Sequence, residues 1–337
     1  MALTWKTASI IQKLDKPVLT YKDIPYHATC VFNAGVTKYQ GKYVMVFRND
    51  AGTWGKCGLR TTVGVAFSDD GIHFTPTAAP VMNDLKDDEV LSVYDPRITL
   101  VEGVPHICLA MSTWHGLRGV IVRTEDFEKY EVVTMTAPDN RNMVLFPEKV
   151  GGNYVRLERP MPVYSRNRID RFDIWMSESP DMIYWGKTRL VLGKEHVPFS
   201  NDKLGPAAPP IKTRAGWLTT FHAVERDPSI GKNGWEAKWD KRYYGGIMLL
   251  DLEDPSRVIG MSKEPLIVTD RDFERGGFRD DVIFPGGMLL EDDGEVKIYY
   301  GAADTVECLA TAHVDDLIAL CDKPLEYAAE QKPFMYL

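Results

Sequence analysis

One carboxylate and a scattered set of cations stand out by residue type and setting. Asp95 sits in "VYDPRIT" (93–99), where a strand should begin, with a proline after it and an arginine two residues on. Proline biases the preceding residue towards an extended backbone, which would project the Asp95 side chain away from the strand start. Such an aspartate can act as a proton donor, or it can be a turn residue bonding to nearby amides. The cations are Arg48 in "VFRND", Arg141 in "DNRNMVLFPEK", Arg159 in "RLERP", Lys203 in "NDKLGPAAPP" and His222 in "TFHAV". Taken singly, each arginine reads as a surface ion pair. Gathered on one inner face, like charges would need an anion to compensate them. Arginine forks with a lysine point charge suit phosphate. Trp54, Trp114, Trp175, Trp235, Trp239 and Tyr243 could stack on sugar rings. Of the tryptophans, Trp175 and Trp185 are expected in the core. Trp235 and Trp239, in "KNGWEAKWDKRYYGG", are expected at a ligand or at an oligomer interface.

Strands must position these groups, because helix signals are scarce apart from a turn or two near "VDDLIALCDKP". Five segments read as strand, Gly-containing turn, strand: 32–50, 94–112, 145–160, 205–224 and 283–304. After a variable loop, each is followed by a further apolar strand, such as "VGVAFSDDGIHF" or "GVIVRTEDFEKY". A four-stranded antiparallel sheet cannot bury both faces alone, and repeated sheets solve this by packing side by side around an axis. The expected fold is therefore all-β, a single five-bladed β-propeller, with extensions at about 1–25 and about 318–337. A pair of β-sandwiches is the alternative. Each repeat opens on an unusual element ("FNAG", "YDPR", "LFPEK", "LGPAAPP", "IFPGG"). In a propeller these openings converge at one end of the channel, so Asp95 need not find its partners locally.

Composition narrows the function classes. A net charge of −8 over 337 residues, without a basic stripe, argues against nucleic-acid binding. The N-terminal 20 residues hold only the short apolar run "ASII", so neither a signal peptide nor a membrane span is expected. Five scattered cysteines without a CxxC spacing (Cys30, Cys57, Cys108, Cys308, Cys321) point to a reducing, cytoplasmic setting. No GxSxG, P-loop, GxGxxG or HExxH motif is present, and His115 and His222 lack the neighbours of a metal cluster, so no catalytic metal is inferred. The terminal extensions are the segments available to pack on a neighbouring subunit in a homo-oligomer.

"YDPR", "NRNMVLFPEK", "SESPDMIYWG", "KLGPAAPPIKTRAGWL", "LLDLEDPSRVI" and "IYYGAADT" occur in order over nearly the whole chain. Together they resemble glycoside hydrolase family 130, which consists largely of β-mannoside phosphorylases with a five-bladed β-propeller fold. The resemblance makes Asp95 the general acid. It implies a phosphate-binding set of Arg141, Arg159, Lys203, His222 and Tyr243. It further implies that Asn33, Arg48, Tyr94, Asn142 and Asp304 hold the sugar, and that the acid acts through the sugar's own 3-hydroxyl. Co-substrates would be a manno-oligosaccharide and inorganic phosphate, with no other cofactor.

The expected activity is thus inverting phosphorolysis of a β-mannoside to α-D-mannose 1-phosphate. A phosphorylase needs only the acid, because a cation-held phosphate replaces the second carboxylate of an inverting hydrolase. A β-mannosidase would need that second carboxylate, for which Glu148, Glu158 and Glu225 are candidates. A non-catalytic sugar-binding propeller is the third reading. The chain departs from the family's pattern at Asn33-Ala34, at "LGPAAP" and at "YSRNRIDRF", the last where the acceptor sugar should sit. Arg166, Arg168 and Arg171 in that loop suit a polar acceptor such as a further mannose.

Overall fold

The computed structural model describes residues 5–52, 60–85, 89–161, 163–165, 169–230, 239–322 and 325. Its strands form five small antiparallel sheets, the blades of a β-propeller, and a separate two-stranded hairpin of Val163–Ser165 and Ile169–Arg171. From the axis outwards, blade 1 is Cys30–Tyr39, Lys42–Ala51, Arg60–Ser68 and Thr75–Pro76. Blade 2 is Val90–Val101, Val104–Thr113, Gly116–Arg123 and Glu131–Met135. Blade 3 is Asn140–Leu145, Tyr154–Pro160, Ile174–Ser179 and Gly186–Leu192. Blade 4 is Lys203–Pro206, Trp217–Arg226, Lys241–Leu250 and Val258–Met261, with Ile211–Lys212 pairing on the same second strand. Blade 5 is Ile283–Leu290, Glu295–Ala302 and Val306–His313, and its outermost strand is Gln12–Lys13.

Period-two alternation explains why a strand such as "KYVMVFRND" is buried almost throughout. Successive side chains point to opposite faces, and both faces of a blade are covered. Val44 and Val46 join Ile98, Ile107 and Leu109 in the seam with blade 2, whereas Met45 and Phe47 join Tyr299 and Leu309 in the seam with blade 5. Three further clusters fill the seams between blades 2 and 3, 3 and 4, and 4 and 5. The turn after the third strand also repeats. Asp70, Asp126, Asp181 and Asp251 each accept backbone N–H bonds from residues two and three further on.

The short helix expected near residue 314 is there, as Val314–Leu320. Three other expectations change. The N-terminal segment is not a free arm, since Gln12 and Lys13 pair with Thr311 and Ala310 and so close the ring. The inner strand of blade 3 begins at Asn140 rather than 145, and "LFPEK" is its exit. Trp175 and Trp185 are half-buried rather than core.

Ring closure rests on a buried charge network. The Lys13 ammonium lies 2.9 Å from both Asp270 and Glu274, and Glu274 also accepts the Tyr300 hydroxyl at 2.8 Å. Removing one member strands a buried charge, which costs about 3–5 kcal/mol. Lys13→Met should therefore lower the chemical-denaturation midpoint sharply. An unchanged midpoint would show that the N-terminal strand does not hold the ring.

Candidate active site

Four inner strands carry the same irregularity. Register slips between Phe32 and Gly35, Tyr94 and Arg97, Arg141 and Val144, and Phe284 and Gly287. A bulge inserts a residue and re-aims its side chain. Asn33, Asp95 and Asn142 occupy equivalent bulge positions with φ of 55°, 53° and 55°. The extended backbone expected from Pro96 is therefore overturned at Asp95, because the bulge demands a left-handed residue. Asn and Asp tolerate that region better than other side-chain-bearing residues.

The bulges turn these side chains into one cavity at the axis. Asn33, Arg48, Tyr94, Asp95, Arg141, Asn142, Arg159, His222, Tyr243 and Asp304 all line it, as do Arg279, Val282 and Phe284. Of the site residues expected from the sequence, Lys203 alone stands just behind the lining, its ammonium 5.3 Å from the Tyr243 ring centre.

On one side the cavity is acidic and paired. The Asp95 carboxylate accepts from the Asn33 amide at 3.1 Å and from Arg48 at 3.4 Å. Arg48 is itself clamped by Asp50 through two bonds of 2.9 and 2.8 Å and lies between the Phe32 and Tyr94 rings. It is thus committed to carboxylates, not available to an outside anion. Burial raises the Asp95 pKa, but Arg48, Arg97, the Asn33 bond and Arg141 outweigh it and hold the carboxyl below its ordinary range. Asp304 goes the other way: burial lifts it above its ordinary range despite a 3.1 Å ion pair with Arg279.

On the other side Arg141 and Arg159 have no ion-pair partner among the described residues. Arg141 and Arg159 are directly opposite on neighbouring strands, an arrangement that costs stability for like charges. Among the described residues, Arg141 Nε, Arg159 Nε and Nη2, and His222 Nδ1 have no hydrogen-bond partner. Arg159 Nη1 lies 3.2 Å from His222 Nε2, so that nitrogen accepts and the imidazole is neutral. Burial, then the repulsion of Arg141, pushes the Arg159 pKa down to about 9. Lys203 is pushed down to about 6 by burial, Arg159, Lys241 and Arg141. Burial, then Arg159, Lys203, Arg141 and Arg97, holds His222 well below the usual imidazole range. Unpartnered buried donors are costly, and here several converge.

Gly205 admits the imidazole. His222 pairs with Gly205 on one side and Gly245 on the other, and a Cβ on Gly205 would lie 2.3 Å from the ring. The ring stacks on Phe284 and Tyr243, and Tyr243 stacks on Trp239. Trp239 is therefore a buried support of the site rather than a surface contact. Trp114 is exposed and away from the cavity. Trp54, Trp235, Cys57 and the side chains of Arg166, Arg168 and Arg171 lie outside the described residues.

The candidate second carboxylates are used elsewhere. Glu158 pairs with Arg156 and Asn140, Glu148 with Lys212, and Glu225 with Tyr244 and Arg242. Arg279 is a lining residue that the sequence motifs do not reveal, since it belongs to no repeat. Its one signal is a charge shortly before the "IFPGG" bulge.

The family profile described as β-1,4-mannooligosaccharide phosphorylase matches residues 7–323. A 1,2-β-oligomannan phosphorylase of Thermoanaerobacter is 32% identical, covering 90% of this chain and 97% of that relative. A β-1,2-mannobiose phosphorylase of Listeria innocua is 33% identical over 72% of this chain and 64% of its own length. The solved structure of a Listeria innocua β-1,2-mannobiose phosphorylase with β-1,2-mannobiose matches at TM-score 0.78 and 26% identity, covering 92% of this chain and 99% of that one. This propeller, with its carboxylate facing a buried cation cluster, belongs to glycoside hydrolase family 130.

Proposed function

We propose that the chain is an inverting β-mannoside phosphorylase that cleaves β-1,2- or β-1,4-linked manno-oligosaccharides with inorganic phosphate. The observation that carries this reading is the pairing, in one cavity, of a single acid-side carboxylate, Asp95, with a cluster of unpartnered cationic donors. The other lining carboxylate, Asp304, is ion-paired to Arg279, and Glu148, Glu158 and Glu225 are engaged outside the cavity. A hydrolytic base is therefore missing among the described lining residues.

In the proposed step, phosphate held by Arg141, Arg159, Lys203, His222 and Tyr243 attacks the anomeric carbon from the face opposite the leaving sugar. Asn33, Arg48, Tyr94, Asn142 and Asp304 hold the mannose. As the C1–O bond breaks and the C1–phosphate bond forms, Asp95 gives its proton to the sugar's 3-hydroxyl, whose own proton passes to the departing oxygen. The proton carried in by hydrogen phosphate returns to Asp95, so the step balances with inversion. Fixed donors around the phosphate supply positioning and charge stabilisation.

The test is a panel of β-1,2- and β-1,4-mannobiose, each with and without phosphate. Mannose 1-phosphate formed only with phosphate is expected, from at least one linkage. No product from any of them, with binding retained, would leave a sugar-binding module instead.

Proton uptake gives an independent check. Lys203 is largely neutral above pH about 6, and a phosphate anion beside it favours the ammonium. The same anion offsets the cations that keep Asp95 ionised. Both effects raise pKa values, so phosphate binding near pH 7.5 should take up protons. Titration calorimetry in buffers of different ionisation enthalpy should show this uptake, and buffer-independent heats would contradict it.

A further inference from the structure

We infer that Arg97 is the positioning residue that sets the catalytic carboxylate, by locking the two bulges from which Asn33 and Asp95 project. The inference rests on the phosphorylase reading of the site. Arg97 does not line the cavity. It lies behind it, 2% exposed, against the Phe284 ring that forms part of the wall. Its Nη1 donates to two carbonyls, Asn33 O at 2.9 Å and Pro96 O at 2.5 Å, and its Nε donates to Ala207 O at 2.7 Å. One guanidinium thus joins inner strands of blades 1 and 2 to the segment after the inner strand of blade 4, and rests on blade 5.

The two Nη1 acceptors are not arbitrary. Asn33 is the left-handed bulge residue of blade 1, and Pro96 follows Asp95, its counterpart in blade 2. The bulges are what bring Asn33 Nδ2 to 3.1 Å from Asp95 Oδ1. A lysine cannot reproduce this, because the planar fork reaches carbonyls in three blades at once. Neighbouring blades leave room for it. A Cβ on Gly286 would lie 3.0 Å from Arg97 Cζ and 2.5 Å from Ala34 O.

Arg97 also contributes charge. Asp95 is faced by Arg48 and Asn33 from blade 1, Arg97 on its own strand, Arg141 and Arg159 from blade 3, and Asp304 from blade 5. Arg97 is among the cations that favour ionised Asp95, and buried Glu307 favours the Arg97 cation in turn. Geometry and charge therefore predict separable effects.

Arg97→Lys keeps the charge and loses the fork. It should lower kcat at least about tenfold, with the KM for phosphate within about twofold of wild type, since small misplacements of a catalytic group cost up to about 10²-fold. The alkaline limb of its kcat–pH profile should stay in place. Arg97→Met loses both, and should lower kcat further while moving the alkaline limb to higher pH, because Asp95 then keeps its proton longer. Either variant that folds suffices. A merely structural Arg97 would instead give a lower melting temperature with wild-type kcat per folded molecule and an unmoved profile in every variant, which would overturn the inference. Wild-type protein that makes no mannose 1-phosphate would overturn the phosphorylase reading itself, an outcome scored before any variant is measured.

Discussion

Asp95→Asn should lower phosphorolysis of mannobiose by about 10³-fold, within the span attributed to general acids, while leaving the fold intact. The substitution is structurally mild for a reason visible in the repeat. The equivalent bulge positions of blades 1 and 3, Asn33 and Asn142, already hold asparagine at the same left-handed φ. What is lost is the proton donor, together with one negative charge beside Arg48, Arg97 and Arg141. Phosphate affinity should therefore be retained or increase even as turnover collapses. An aryl mannoside, whose leaving group needs little protonation, should suffer much less. Steady-state rates on both substrates, with phosphate binding measured alongside, decide the matter. A mannobiose rate within about tenfold of wild type would remove Asp95 from the acid role.

Arg159→Met should separate activity from stability in opposite directions. Arg159 is 1% exposed, faces Arg141, and has two nitrogens without partners among the described residues. In the absence of an anion it is a buried, repelled cation, and burial together with Arg141 has pushed its pKa down to about 9. Methionine fills similar space without that cost. The variant should melt a few degrees higher in phosphate-free buffer, on a scale of about 2–4 °C per kcal/mol. Its kcat/KM for phosphate should fall by about 10²–10³, the loss typical of removing one donor to a developing or bound oxyanion. Added phosphate should stabilise wild type but not the variant, because only the former gains binding free energy. A variant that melts lower and still binds phosphate would show that Arg159 is a structural ion rather than part of an anion site. Stability given up at a functional site is a familiar trade.

Much of this arrangement is legible in the amino-acid sequence. The five strand–turn–strand segments carry the blade count, because sheets buried on both faces leave near-continuous apolar runs between turn residues. The residues brought together at the axis are legible from the family motifs, and their convergence follows from the propeller's geometry. Other features are hidden for physical reasons. Ring closure by Gln12 and Lys13 depends on a long-range pairing that two residues cannot signal. The left-handed backbone of Asp95 runs against the local bias of Pro96, since the bulge is imposed by the neighbouring strand. Arg97 and Arg279 show in the sequence only as a motif arginine and a charge before a bulge, and their roles stay hidden because both act through other residues: Arg97 through backbone carbonyls, Arg279 through Asp304. Trp239 is deceptive in a related way, its polar loop suggesting a surface role while its ring supports Tyr243.

The central claim is that phosphate, held opposite Asp95, replaces water as the nucleophile. It is tested most directly by following β-mannobiose cleavage by proton and phosphorus NMR, in phosphate buffer and in a phosphate-free buffer at the same pH. In phosphate, α-mannose 1-phosphate is expected as the first product, with negligible cleavage without it. Free mannose released from both ends of the disaccharide at equal rates in the two buffers would contradict it.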